Sequence, residues 1–116
     1  MSIADAVPNY LATWNADDPD RLLAEYWSPD ATYTDPMAQA AGTAEIAALI
    51  RQVRTQFPGY VFTAFDDADA HHRQVRFRWG LGPAGAEPVV IGFDVLVIDD
   101  AGRIRDVRGF LDKVPA

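Results

Sequence analysis

Two aspartates stand where acid–base chemistry would want them. Asp94 lies inside residues 89–98, a run made almost wholly of Val, Ile, Phe and Leu. Both faces of such a strand must be covered, which puts it in the middle of a sheet. A carboxylate between apolar walls is disfavoured in its charged form, so its pKa rises, and once protonated it donates a hydrogen bond. Asp94 could equally accept bonds from a neighbouring Ser, Thr or Arg and only fix the strand. Asp35 closes a short strand at 31–35 that Pro36 stops. Beside a loop it can stay ionised and reach a substrate, as a base removing a proton next to a carbonyl must. The enolate so formed needs donors where its charge develops, and a protonated Asp94 would be one. The competing role for Asp35 is an Asx-type turn before Pro36.

The elements that must position these residues follow from pattern. Residues 89–98 and 103–110 flank Asp99-Asp100-Ala101-Gly102, turn chemistry that joins them as a hairpin. Along the first arm Val90, Gly92, Asp94, Leu96 and Ile98 share one face, and the missing side chain of Gly92 leaves room for a pocket beside Asp94. The opposite face, Val89, Ile91, Phe93, Val95 and Val97, is wholly apolar and calls for helices or a second subunit to cover it. Upstream, a first helix capped by Ser2 or starting near Val7 places Tyr10 and Trp14 on one side. Asp18 and Pro19 open a second helix that runs to about Trp27, until Ser28-Pro29-Asp30 ends it. After a loop at 37–42, Thr43 caps the clearest helix, where Ile46, Leu49, Ile50 and Val53 recur until Phe57-Pro58-Gly59. Strands then follow at 60–65 and 72–81, the latter alternating Val75, Phe77 and Trp79 with Gln74, Arg76 and Arg78. Helices first and antiparallel strands after predict an α+β fold, with helices on one side of a curved sheet.

Composition narrows the function classes. The 116 residues suit one domain spanning 1–116, and 49% hydrophobic with 23% charged residues describes an ordinary globular chain. Ten Lys and Arg against seventeen Asp and Glu leave a net charge of −7, which argues against nucleic acid and anionic membrane surfaces as partners. Without cysteine there is no disulfide framework, thiol nucleophile or thiolate metal site. His71 and His72 are adjacent, hence on opposite faces of a strand, and would not share a metal. With neither a signal-like N-terminus nor a long apolar run, the expected location is cytoplasmic.

Two stretches together resemble ketosteroid isomerase and the wider SnoaL-like polyketide cyclase superfamily with the nuclear transport factor 2-like fold. One is Tyr26-Trp27-Ser28-Pro29-Asp30-Ala31-Thr32-Tyr33-Thr34-Asp35-Pro36, similar to the isomerase's aromatic, Asp-Ala-Thr and Asp-Pro. The other is Phe93-Asp94-Val95-Leu96 with Gly102-Arg103-Ile104, similar to its Asp-Val strand and Gly-Arg-Ile. The resemblance implies a cone-shaped curved antiparallel sheet packed against three N-terminal helices, the α+β barrel of that superfamily. It places Asp35 on the general base, Asp94 on the protonated Asp of the oxyanion hole and Tyr10 near its Tyr, with Tyr26 and Tyr33 as the other phenols on hand. In ketosteroid isomerase two carboxylates are held in different protonation states, and that logic is carried over here. Trp14, Tyr26, Tyr33, Phe77, Trp79 and Leu111 are the expected pocket wall. What is implied is cofactor-free, metal-free proton transfer on a steroid- or polyketide-like hydrophobic small molecule, in a homodimer; the alternative is a binding or scaffold protein of the same fold. Two departures limit the activity. The cyclase pattern of Trp and, four residues on, Asp is met here by Arg108 and Asp112, and the Arg that epoxide hydrolases place before the strand Asp is Gly92.

Overall fold

The structure, a computed structural model, describes residues 3–115. A single 3-10 turn, Ile3–Asp5, leads into helix α1, Ala6–Asn15. Pro8 falls in the first turn of α1, where its missing N–H has no helical partner to lose; Ser2, the expected cap, lies outside the described residues. Helix α2 is Asp20–Tyr26, and Asp18 Oδ1 accepts the Asp20 N–H at 3.1 Å, so Asp18 works at the start of this helix as its residue type suggests.

The next segment departs from expectation. Strand β1 is Trp27–Thr34, so Ser28-Pro29-Asp30 does not break the chain but lies within the strand. Proline is tolerated there because pairing with the neighbouring strand slips between Trp27 and Thr32, leaving no ladder bond for Pro29 to make. The expected loop after Pro36 contains strand β2, Gln39–Ala41, which folds back antiparallel on β1. Helix α3 is Thr43–Gln56. Gly42 (φ 84°) occupies its N-cap, while Glu45 Oε1 accepts the Ala41 N–H at 3.0 Å. Ile46, Ala47 and Ile50 are buried on its inner face.

Five strands follow: β3 Tyr60–Ala64, β4 Asp69–His71, β5 Gln74–Pro83, β6 Val90–Ile98 and β7 Ile104–Lys113. β4 was not anticipated. His71 ends it and His72 sits on the tight turn into β5 at φ 53°, so the strand expected from residue 72 begins only at Gln74. The β6–β7 hairpin is as read: Gly102 takes φ 82°, and Asp99 Oδ1 accepts the Ala101 and Arg103 N–H groups at 2.9 Å each.

The sheet order is β2-β1-β7-β6-β5-β3, with β4 paired to β5 off that path. β1 runs parallel to β7, so the sheet is mixed, not antiparallel throughout. The reason is topological: an early strand docks beside the last one, and every element between them forms the crossover. The architecture is three helices against a curved mixed sheet that does not close into a barrel. On β6 the even residues, Asp94 among them, are buried under the helices, while the apolar odd face is half-buried on the outside of the sheet. Among the described residues no helix is long and apolar enough to cross a membrane.

Candidate active site

The two aspartates converge on one glycine. On the inner face of the sheet Phe77 pairs with Asp94 and Asp94 with Gly109, while Tyr33 on β1 pairs with Val107, one inward position before Gly109. Continuing β1 by two residues brings Asp35 beside Gly109. A Cβ on Gly109 would lie 2.8 Å from Asp94 Oδ1 and 3.3 Å from Asp35 Cβ. Only a residue without a side chain lets both acids occupy that row.

Each aspartate takes a phenol. Tyr10 on α1 donates to Asp94 Oδ2 at 2.6 Å, and Tyr33 donates to Asp35 Oδ2 at 2.6 Å. Tyr10 is held by rings on three sides: Trp27 stacks at 5.6 Å between centroids, Phe77 meets it edge-on at 5.5 Å, and Trp14 lies tilted at 6.4 Å. Asp94 is 1% exposed, and burial pushes its pKa up to about 6, with the charge of Asp35 adding to the rise. The Tyr10 hydroxyl, and after it the Trp79 indole, pull the other way. The Trp79 N–H approaches Asp94 without completing a hydrogen bond, and the Trp14 N–H is likewise buried and unpartnered. Both phenols are pushed well above their usual pKa, first by burial and then by the aspartate each one faces.

Asp35 is half-buried and more constrained than its position in the sequence suggests. Its Oδ1 accepts the Met37 and Ala38 N–H groups at 2.8 Å each, and its own N–H donates to Ala38 O at 2.9 Å. The Asx-type turn is therefore present together with the Tyr33 bond, and the two sequence readings coexist in one side chain.

A cavity of about 380 Å³ opens beside these pairs. Tyr10, Trp14, Tyr33, Trp79 and Leu111 line it; Tyr26 and Phe77 do not. Phe77 is core and braces Tyr10 from behind, while Tyr26 packs half-buried against the core at the end of α2. The room left by Gly92 is not empty either, because the Trp79 indole fills it: a Cβ there would meet that ring at 2.1 Å. Neither carboxylate is itself part of the cavity lining. Asp94 stands behind Tyr10, and Asp35 faces a shallow groove on the neighbouring side while its partners Tyr33, Met37 and Ala38 line the cavity. The sequence reading missed Phe62 and the α3 side of the wall, Leu49, Gln52, Val53 and Gln56. Helical spacing marked Leu49 and Val53 as inward-facing, but a core face and a cavity face share that period. His71 and His72 are exposed and away from the cavity. Arg76 and Arg78 form ion pairs on the sheet with Asp69 at 3.5 Å and Asp66 at 2.7 Å.

A buried carboxyl that keeps its proton up to about pH 6 next to a phenol, and a second carboxylate one row away, can move a proton and stabilise the charge that results. Comparison with known proteins shows the family of the chain. A search of curated proteins returns no match. Among solved structures, an isomerase candidate of the SnoaL-like family from Agrobacterium tumefaciens is 37% identical, with 94% of this chain and 96% of that one covered at a TM-score of 0.89. A polyketide cyclase candidate from Sinorhizobium meliloti shares the fold at 23% identity, 90% and 93% coverage and a TM-score of 0.74. A protein with a ketosteroid isomerase-like fold from Catenulispora acidiphila, solved in complex with trimethylamine, does so at 19% identity, 93% and 85% coverage and a TM-score of 0.75. The fold is that of the nuclear transport factor 2-like proteins. The model of the SnoaL-like domain matches residues 7–107, from within α1 to Val107 in β7, and the chain belongs to the SnoaL-like domain family.

Proposed function

We propose that this protein is a cofactor-free enzyme of the isomerase or cyclase type, moving a proton next to the carbonyl of a small apolar compound. Asp35 is the base in this reading, and Tyr10 with Asp94 stabilises the developing oxyanion. The observation that carries it is the pairing of two phenols with two aspartates around Gly109 at the wall of an apolar cavity. Such a cavity is the size that small-molecule sites adopt and offers few polar groups, which suits a steroid- or polyketide-like substrate. The reading also includes a cytoplasmic homodimer. To test it, the purified protein is mixed with a β,γ-unsaturated ketosteroid and the conjugated enone absorbance is followed. A rate above buffer that Asp35→Asn abolishes is expected; no rate above buffer removes the isomerase version.

A second reading is a non-catalytic binding protein of the same fold. The two backbone bonds that tie Asp35 Oδ1 into a turn favour it, because a base so held has less freedom to reach substrate. Binding of an apolar ketone without any proton exchange into it from deuterated water would decide for this reading.

A further inference from the structure

The direction of the two phenol bonds says what the cavity wall offers a ligand. Tyr10 and Tyr33 both line the cavity, and each spends its hydroxyl hydrogen on an aspartate that does not. A phenol has one donor and accepts through its lone pairs. With its hydrogen so spent, the Tyr33 oxygen is left as an acceptor in the cavity wall, and the buried, unpartnered Trp14 and Trp79 N–H groups are donors in the same wall. Asp35 does not line the cavity and stands behind Tyr33, with Oδ1 taking the Met37 and Ala38 amides and Oδ2 the Tyr33 hydroxyl. Tyr33 in turn is 4% exposed and packed against Trp14 at 5.7 Å between centroids, so its oxygen is fixed in place.

We propose that Tyr33 is the residue that meets the substrate's acidic hydrogen, and that it relays this proton to Asp35. The inference rests on the proton-transfer function above and adds a catalytic residue and a ligand class to it. In the step, the substrate's C–H or O–H bond breaks and its electron pair stays on the substrate. The proton bonds to Tyr33 Oη as the former Tyr33 hydrogen passes to Asp35 Oδ2. Tyr33 is neutral before and after, and one negative charge has moved from the carboxylate to the substrate. The ligand class follows from the Tyr33 oxygen and its acid: an apolar compound carrying an acidic hydrogen, such as a phenol, an enol or a C–H flanked by two carbonyls.

The test compares β-naphthol, which has such a hydrogen, with its methyl ether, which does not. Binding is read from quenching of the cavity tryptophans. Wild type should prefer the naphthol by roughly tenfold, the upper scale of one neutral hydrogen bond. Tyr33→Phe should abolish the preference, Asp35→Asn should reduce it, and Tyr10→Phe should retain it. Thermal melts confirm that each variant is folded, and Asp35→Asn, which keeps the turn acceptor, serves if Tyr33→Phe is not. Equal binding of the two probes by wild type, or a preference that survives in Tyr33→Phe and disappears in Tyr10→Phe, overturns the proposal. Turnover separates it from the function it rests on. If the ketosteroid is isomerised and Tyr33→Phe keeps the full rate while Asp35→Asn loses it, Asp35 acts directly and the relay is wrong. If no variant turns over yet the naphthol preference follows Tyr33, the enzyme reading fails and the recognition of an acidic hydrogen stands.

Discussion

Asp94 places a titration in the middle of the core. Its pKa is about 6 in the folded chain against an unfolded value of 3.8, because burial favours the neutral acid. The folded state thus binds the proton more tightly. Below pH 3.8 both states are protonated and nothing is lost; between 3.8 and about 6 stability falls as pH rises; above that the full cost persists, about 3 kcal/mol for a shift of this size. Asp94→Asn keeps the shape and removes the ionisation. Its melting temperature relative to wild type should therefore climb between pH 4 and pH 6 and level off beyond, and a flat difference across that window would show that Asp94 does not titrate there. Tyr10→Phe tests the partner. The Tyr10 hydroxyl lowers the Asp94 pKa, so its loss should raise the midpoint above that of wild type when the carboxyl carbon is followed by NMR.

The elements that hold the site do so through two absences. Gly109 on β7 admits both aspartates, and Gly92 on β6 admits the Trp79 indole from β5. Gly92→Ala would drive a methyl group into that ring, a backbone-mounted clash that overpacking experience puts at roughly 1–3 kcal/mol. The expected result is a lower melting temperature and a shifted tryptophan emission, and an unchanged melt would mean that Trp79 is free to move aside. Gly92 also marks the boundary of what the sequence could tell. Its small size beside Asp94 was visible, but whether cavity or indole fills the space depends on β5 pairing Trp79 opposite it, a contact between distant segments that no local period encodes. The hairpin of β6 and β7, α3 and the inward Val75, Phe77 and Trp79 were legible, because period and turn chemistry are local signals. The parallel docking of β1 on β7 was not, and with it went the row that sets Asp35 beside Gly109. Strand β2 was hidden for a different reason: at three residues it has too little pattern to stand out from a loop.

For the molecule as a whole, the unresolved demand is the outer face of the sheet. Ile91, Phe93, Val95 and Val97 run along β6 there and stay half-buried, with Phe110 of β7 beside Phe93 at 6.3 Å between rings and 58% exposed. The helices cover the other face only. Flanking residues carry both signs: Arg76 and Arg78 on β5, Asp106 and Arg108 on β7. An apolar stripe between mixed charges is self-complementary under a two-fold axis, since a second copy brings the same stripe and the same alternation in reverse. A stable interface needs about 800 Å² from each partner, which a patch of this width reaches only if the neighbouring strands take part. Phe93 is the side chain to change, because it is outside the cavity and inside the stripe. Wild type should scatter light as a dimer at micromolar concentration. Phe93→Glu should scatter as a monomer with its cavity intact, because two carboxylates replace two apolar rings in the buried stripe of each interface and must be desolvated there. A monomeric wild type, or a variant that still dimerises, would mean that the stripe is left to solvent and that the site is complete within one chain.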